Sequence, residues 1–232
     1  MSKLLIFRAK NILNILTKLK LNLQTVKFQF RETHLSINRV ANLDELVDQV
    51  SDDEFNKDER LPYWAELWPS AIGLSRYVIN NAELFYHKNI LELGCGLGLT
   101  SIVLKQQKPA SLLCTDYEND ALELARKNFL QNRIRQPDFQ YLDWRDPQLS
   151  GKYEIIIASD ILYEERFFNP LYELFNKHLE RHGCVIIAEP NRKIALSFFE
   201  KLKNVGYQYE IQFEEVDQDR KNIIVSVYRI TK

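Results

Sequence analysis

The stretch Asn89-Ile-Leu-Glu-Leu-Gly-Cys-Gly-Leu-Gly98 leaves the chain few choices of fold. Ile90, Leu91 and Leu93 form a short apolar run that carries one acid, Glu92, and ends on three glycines at alternate positions, Gly94, Gly96 and Gly98. Leu99, Ile102 and Val103 then recur at helical spacing. About twenty residues after the first glycine, the apolar run Leu112 to Thr115 ends in Asp116. Strand, glycine turn, helix, strand, acid is the unit that holds a nucleoside-bearing small molecule against the ends of two parallel strands.

The alternation continues downstream. A helix is expected over Asp120 to Gln131 and a strand over Phe139 to Leu142, ending at Asp143-Trp144. Tyr153 to Ser159 is a β-branched apolar run, as a strand covered on both faces requires. A helix over Asn169 to Glu180 precedes a strand over Cys184 to Ala188, which ends in Glu189-Pro190-Asn191. A helix from Ile194 to Asn204 follows, and then two strands, Tyr207 to Phe213 and Ile223 to Ile230, around the polar turn Asp217 to Asn222. This order predicts a Rossmann-like, doubly wound α/β fold. Its sheet is seven-stranded and mostly parallel, with a C-terminal antiparallel hairpin.

Upstream, Leu5, Ile12, Leu16, Leu19 and Leu23 suggest an amphipathic helix over roughly residues 3 to 21. Val26 to Phe30 and Leu35 to Val40 alternate like a β-hairpin, and Asn42 begins a short acidic helix running through Val50. The charged loop 51–60 marks the boundary between an N-terminal extension, 1–60, and a core domain, 61–232.

Charge is uneven along the chain: residues 1 to 31 hold seven Lys or Arg and no acid. The net charge is only −1, so nothing drives the whole molecule toward nucleic acid. Three scattered cysteines make neither a disulfide frame nor a zinc site, which points to a reducing cytoplasm. No metal is expected: His178 and His182 lie four apart, but at a helix end, where they are read as serving its dipole. No apolar run approaches the ~18 residues that span a bilayer.

The strand ends carry Gly94 to Gly98, Asp116, Asp143, Asp160 and Glu189, and the crevice beyond such ends is where open α/β sheets bind ligands. The dinucleotide pattern G-x-G-x-x-G fails, because its sixth position is Leu99 counted from Gly94 and Ser101 counted from Gly96. No lysine follows to complete a phosphate-cradling loop, so the turn suits a small, phosphate-free ligand. Glu92 either orients the loop or receives a ligand's ammonium. Asp116 can accept from both ribose hydroxyls, and Trp144 offers a face to a purine. In the entrance segment Leu61-Pro-Tyr-Trp-Ala-Glu-Leu-Trp-Pro-Ser70, the tryptophans are either a plug on the sheet or an aromatic wall beside the ligand, with Trp68 at the mouth of the next helix.

Glu92, the three glycines, Asp116 and Asp143-Trp144 together resemble the seven-β-strand S-adenosylmethionine-dependent methyltransferases. Tyr63-Trp-Ala-Glu-Leu-Trp-Pro-Ser-Ala71 leading into Leu74-Ser-Arg-Tyr77, Leu142-Asp-Trp144 and Ser159-Asp-Ile-Leu-Tyr163 are similar to one branch, the protein-lysine methyltransferases of the electron-transfer-flavoprotein β-subunit and chaperone type. The resemblance covers roughly residues 61 to 230. It implies that Trp68 lines the cofactor pocket and that Glu92 to Gly98 hold the methionine part of S-adenosylmethionine. Asp116 would take the ribose, its neighbour Tyr117 would also bind the cofactor, Asp143 and Trp144 would take the adenine edge, and Ser159 would touch the cofactor where the fourth strand ends. Asp160 and Tyr163 would face the nucleophile, a lysine of a protein substrate. A small-molecule acceptor, or a binding module that has lost catalysis, stays open. Nucleic acid is not expected, because Asp160-Ile-Leu-Tyr163 lacks the two prolines of the amine methyltransferases that act on it.

Overall fold

The computed structural model describes residues 22–48, 61–218 and 220–232. The helix expected over residues 3 to 21 and the loop 51–60, with the domain boundary placed there, lie outside the described residues. The chain runs through the hairpin β1 (Leu23–Phe30) and β2 (Thr33–Val40), then helix α1 (Leu43–Val47), where the Asn42 side chain caps the end by accepting from the Asp44 N–H at 3.1 Å. Helices α2 (Pro69–Asn80) and α3 (Ala82–Phe85) lead into β3 (Asn89–Leu93), α4 (Leu99–Gln106), β4 (Ser111–Asp116), α5 (Asn119–Gln131) and β5 (Asp138–Tyr141). Then come β6 (Tyr153–Ser159), α6 (Phe168–His178), β7 (Leu179–Glu189), α7 (Lys193–Asn204), β8 (Gln208–Gln218) and β9 (Lys221–Thr231).

The seven-stranded sheet has the order β5-β4-β3-β6-β7-β9-β8, and only β9 runs against its neighbours. The chain starts at β3, builds outward to β5 and returns to β6 on the other side of β3. A crevice therefore opens beyond the carboxyl ends of β3 and β6, where the winding reverses. The two-residue period of a strand sends its apolar run to both faces. Ile90, Ile155 and Ile186 pack with Leu74, Ile102 and Phe129 from α2, α4 and α5. Leu91, Ile156 and Val185 pack with Phe175 and Phe198 from α6 and α7. Each such side chain contributes roughly 1.5–3 kcal/mol by leaving water.

The N-terminal hairpin joins this core. Phe30, Leu35 and Ile37 belong to the same cluster as Ile90 and Phe129. The outer edge of β2 is met by side chains: Asn128 Oδ1 accepts from the Asn38 N–H at 2.8 Å, and its Nδ2 donates to the Asn38 carbonyl at 3.0 Å. Asn132 does the same for Ser36, at 2.9 and 2.8 Å. Four helical residues rise about 6 Å and two strand residues about 6.8 Å, so amides at i and i+4 on α5 match alternate residues of β2. Asn128 Nδ2 also donates to Leu97 O at 2.9 Å, which ties the hairpin to the turn after β3.

The strand before α7 departs from expectation. It starts at Leu179 rather than Cys184, because Tyr153 pairs with Leu179 and Ile155 with Cys184, leaving the intervening residues as a bulge. At Gly183 any Cβ would meet the Glu154 carbonyl at 2.7 Å, so only glycine lets the bulge close. His178 and His182 consequently sit on different elements, α6 and β7, and His178 Nδ1 lies 3.0 Å from Gly151 O. The C-terminal hairpin is also tighter than its polar turn suggested, with Asp217 pairing Asn222 and Gln218 pairing Lys221. Among the described residues, no helix is long and apolar enough to cross a membrane.

Asn128 is fully buried, and losing it strands three backbone groups. Asn128→Ala is expected to lower stability by about 3 kcal/mol, and Asn132→Ala, at a half-buried position, by about 1 kcal/mol, both read by urea denaturation. Equal, negligible losses would show that the hairpin is held by its apolar face alone.

Candidate active site

The turn after β3 is shaped by backbone geometry. Gly94, Gly96 and Gly98 take φ of +64°, +49° and +78°, a region that L side chains rarely adopt. At Gly98 a Cβ would also press on Ala125 Cβ at 3.0 Å, so glycine lets α4 and α5 approach. The turn is pinned to β4. Asp116 accepts from the Gly96 N–H at 2.8 Å and from the Glu118 N–H at 2.9 Å, one on each oxygen. The Cys95 N–H donates to Thr115 O at 2.9 Å.

Glu92 lies beneath the turn rather than in the cleft. It is 3% exposed and accepts from the Ser101 hydroxyl on α4. Of the two roles open to it, the geometry fits orienting the loop. Burial pushes its carboxyl up to about 7, with the Ser101 and Cys114 hydrogen bonds opposing, and burial likewise pushes Asp116 up to about 6 against its two backbone donors.

A cleft of about 1020 Å³, counted with its open mouth, lies over this turn. Gly94, Gly96, Asp116, Tyr117, Trp144 and Ser159 line it, and so do Trp68, Asp160 and Tyr163. The structure thus gathers most of the sequence-selected residues around one space, with Glu92, Gly98 and Asp143 outside its lining. The Asp143 carboxylate is occupied by Arg145, whose Nε donates at 2.9 Å and Nη2 at 2.8 Å. Arg145 Nη2 also donates to the Tyr117 hydroxyl at 2.6 Å, so the pair stiffens the wall that carries Tyr117.

The entrance segment is a wall. Trp68 caps the start of α2, with its indole N–H donating to Tyr63 O at 2.8 Å. Edge contacts run from Trp68 to Tyr63 (6.0 Å), Tyr63 to Tyr163 (5.9 Å), Tyr163 to Phe167 (6.2 Å) and Phe167 to Trp144 (5.4 Å). Five aromatic rings therefore arch across the cleft. Burial pushes the Tyr163 phenol well up, so it stays neutral. A second cavity of about 1030 Å³, again with its mouth, shares Tyr63, Trp68, Asp160, Tyr163 and Glu164 with the first and adds Arg192.

Asp160 stands where the two cavities meet. Its backbone is left-handed (φ +60°), its side chain pairs with Arg192 through Oδ1, and its Oδ2 is buried with no hydrogen-bond partner. A profile described as lysine methyltransferase matches residues 54–205, well over half of the chain. The chain belongs to the lysine methyltransferase family. It is 29% identical over 145 residues to the electron transfer flavoprotein beta subunit lysine methyltransferase homolog of Caenorhabditis elegans, covering 56% of this chain and 59% of that one. It is 31% identical over 170 residues to a protein-lysine N-methyltransferase of Schizosaccharomyces pombe, covering 66% and 56%. The chain spans about half to three-fifths of the length of such curated relatives. Among solved structures, the magnesium protoporphyrin IX methyltransferase of Synechocystis shares the fold, with a TM-score of 0.55 at 16% identity over 78% of this chain and 86% of that one. The ribosomal protein L11 methylase of Lactobacillus delbrueckii does so as well, with a TM-score of 0.52 at 20% identity over 71% and 77%.

Sequence reasoning missed Arg192, Phe167 and the bridging place of Tyr63. Tyr63 stood in the aromatic entrance motif, but its span across the cleft depends on a ring a hundred residues later. Arg192 carried no local signal.

Glu92 generates a test. Between its ordinary value of 4.5 and about 7, the native state keeps a proton that the unfolded chain releases, so stability falls as pH rises through that window. Glu92→Gln, which keeps an oxygen for Ser101, is expected to recover about 3 kcal/mol of that fall when urea denaturation at pH 5 and pH 8 is compared. An unchanged pH dependence would show that Glu92 is ionised in the fold.

Proposed function

We propose that the chain transfers a methyl group from S-adenosylmethionine to the side-chain amine of a lysine in a protein. The observation that carries this reading is Asp160, a buried carboxylate with one unpartnered oxygen at the junction of two cavities.

The first cleft fits the cofactor. Gly94 and Gly96 present backbone without side chains to the cleft, Asp116 retains lone pairs for ribose hydroxyls, and Trp144 and Tyr117 supply aromatic surface. No lysine stands in the turn to meet a phosphate. When bound, S-adenosylmethionine supplies a methyl group on a sulfonium that departs as the neutral thioether.

The remaining work is positioning. A lysine amine attacks only when neutral, and its ordinary pKa is about 10.4, so its proton goes to water before transfer. Asp160 then orients the lone pair by accepting from a remaining N–H. Tyr63, Trp68 and Tyr163 wall the channel and exclude water from the line of attack. The transfer forms the nitrogen–carbon bond as the carbon–sulfur bond breaks, and the product is a methylammonium.

The described part of the 1–60 extension braces this entrance. Val40 and Leu46 pack with Ala65 and Trp64, and Arg39 pairs with Glu66 at 2.5 Å. We assign it to acceptor choice, as an extension of the 61–232 domain. Cys95, Cys114 and Cys184 are buried and unpaired, which supports a reducing compartment such as the cytoplasm.

Asp160→Ala is expected to bind S-adenosylhomocysteine with unchanged affinity in calorimetry while abolishing transfer from labelled S-adenosylmethionine into the protein fraction of a cell extract. Normal turnover in that variant would remove Asp160 from the mechanism, and label that passes a small-pore filter would make the acceptor a small molecule. Protonating Asp116 weakens its hold on ribose, so affinity for S-adenosylhomocysteine is expected to drop up to about tenfold from pH 7 to pH 5. A flat profile would place the ribose elsewhere.

A further inference from the structure

The strand beside β6 brings two more charged groups to Asp160. Strand β7 ends at Glu189, whose side chain is 1% exposed, and Arg192 follows at the cap of α7. The Arg192 backbone N–H donates to Glu189 Oε1 at 2.9 Å, and its Nη1 lies 3.4 Å from both Glu189 oxygens. Its Nη2 pairs with Asp160 Oδ1. The Asp160 N–H donates to Ala188 O at 3.0 Å, which fixes the left-handed turn that brings this carboxylate beside β7. One guanidinium thus bridges two buried carboxylates at the ends of adjacent parallel strands.

Two carboxylates and one guanidinium leave a single negative charge, and one carboxylate oxygen, Asp160 Oδ2, has no partner. One ammonium completes the set. Without the guanidinium, the charge of Glu189 behind Asp160 would add to that of Asp160 and hold the ammonium's proton, whereas methyl transfer needs the neutral amine. We propose that Arg192 is a positioning residue for the acceptor amine: it holds Asp160 by one oxygen, leaves the other for the amine, and offsets one of the two carboxylates so that the bound lysine can part with its proton. Glu189 is the anchor that keeps the guanidinium on the wall of the second cavity. This rests on the lysine-methylation reading.

The other ionisable groups around that position are few. Tyr63 and Tyr163 stand on the walls, Glu164 lies at the rim paired with Arg166, Asp116 lies across the first cleft, and Tyr228 on β9, its phenol pushed up by burial and kept neutral, lies near Glu189. Burial pushes Glu189 up to about 7, so the bridge carries its full charge above that pH.

The test uses two variants whose effects should run in opposite directions at pH 9. n-Butylammonium, a bare lysine side-chain analogue, is titrated into the full chain loaded with S-adenosylhomocysteine. Arg192→Met is expected to bind it about tenfold tighter, and Glu189→Gln about tenfold weaker, with affinity for S-adenosylhomocysteine unchanged in both. In transfer from labelled S-adenosylmethionine to extract protein, Arg192→Met should lower kcat at least thirtyfold without raising KM. It should also move the basic rise of kcat to higher pH, while Glu189→Gln moves it lower. A disordered site would weaken binding in both variants, and that outcome overturns the proposal, as does an unchanged or faster kcat in Arg192→Met. If the wild-type chain labels no protein, the methylation reading fails, and the butylammonium titrations still decide whether Arg192 and Glu189 set the charge at Asp160.

Discussion

Asp116 is the point on which the site hangs. Its two oxygens each take one backbone N–H, from Gly96 in the turn after β3 and from Glu118 in the turn after β4. These bonds join the ends of neighbouring parallel strands and hold three left-handed residues in one arrangement. Fixing a glycine-rich turn is entropically expensive, because glycine loses the most freedom on folding. The opposing gain comes from short hydrogen bonds to a buried carboxylate and from the covered strands below. With the turn fixed, Gly94 lies open to the cleft and Trp144 passes beside it, the nearest ring atom 3.7 Å from where a Cβ would stand.

The same region concentrates buried acids. Glu92, Asp116 and Glu189 all have carboxyls pushed up by burial, to about 7, 6 and 7. Each favours the protonated native state across the interval between its ordinary and raised values, so the site costs the fold stability as pH rises from about 4 to 7. Functional sites tolerate such strain when the surrounding core over-determines them. Here two apolar clusters sandwich the sheet, and the central strands β3, β6 and β7 that end at the site are buried along most of their inner length.

The N-terminal hairpin shows how a marginal element becomes part of a rigid body. Two strands alone have little stability in water. Asparagine amides on α5 complete the hairpin's open edge, while its apolar face enters the main core. Through Val40 and Leu46 the same extension supports Trp64, which lines the cleft. Support for the entrance therefore begins far from it in sequence.

Local order was legible from the chain alone. Periodicity of two and of 3.6 separated strands from helices, and the glycine spacing marked the turn that Asp116 pins beside the cleft. These signals are readable because they arise from neighbours in sequence: a strand's two faces, a turn's φ values, a cap at Asn42. The bulge before Cys184 escaped notice because it depends on the carbonyl of Glu154 in another strand. Likewise Glu92 was visible as an anomalous acid, but only the packing of α4 decided that it faces Ser101 rather than the cleft. Arg192 sat in an ordinary polar turn until β7 came to lie beside β6. A strand order places residues 160 and 192 side by side, and no pattern along the chain encodes the electrostatic balance that follows. The sequence by itself determined the fold class and the glycine turn with its acid, whereas the meeting of Asp160, Glu189 and Arg192 is a product of strands lying side by side in the sheet.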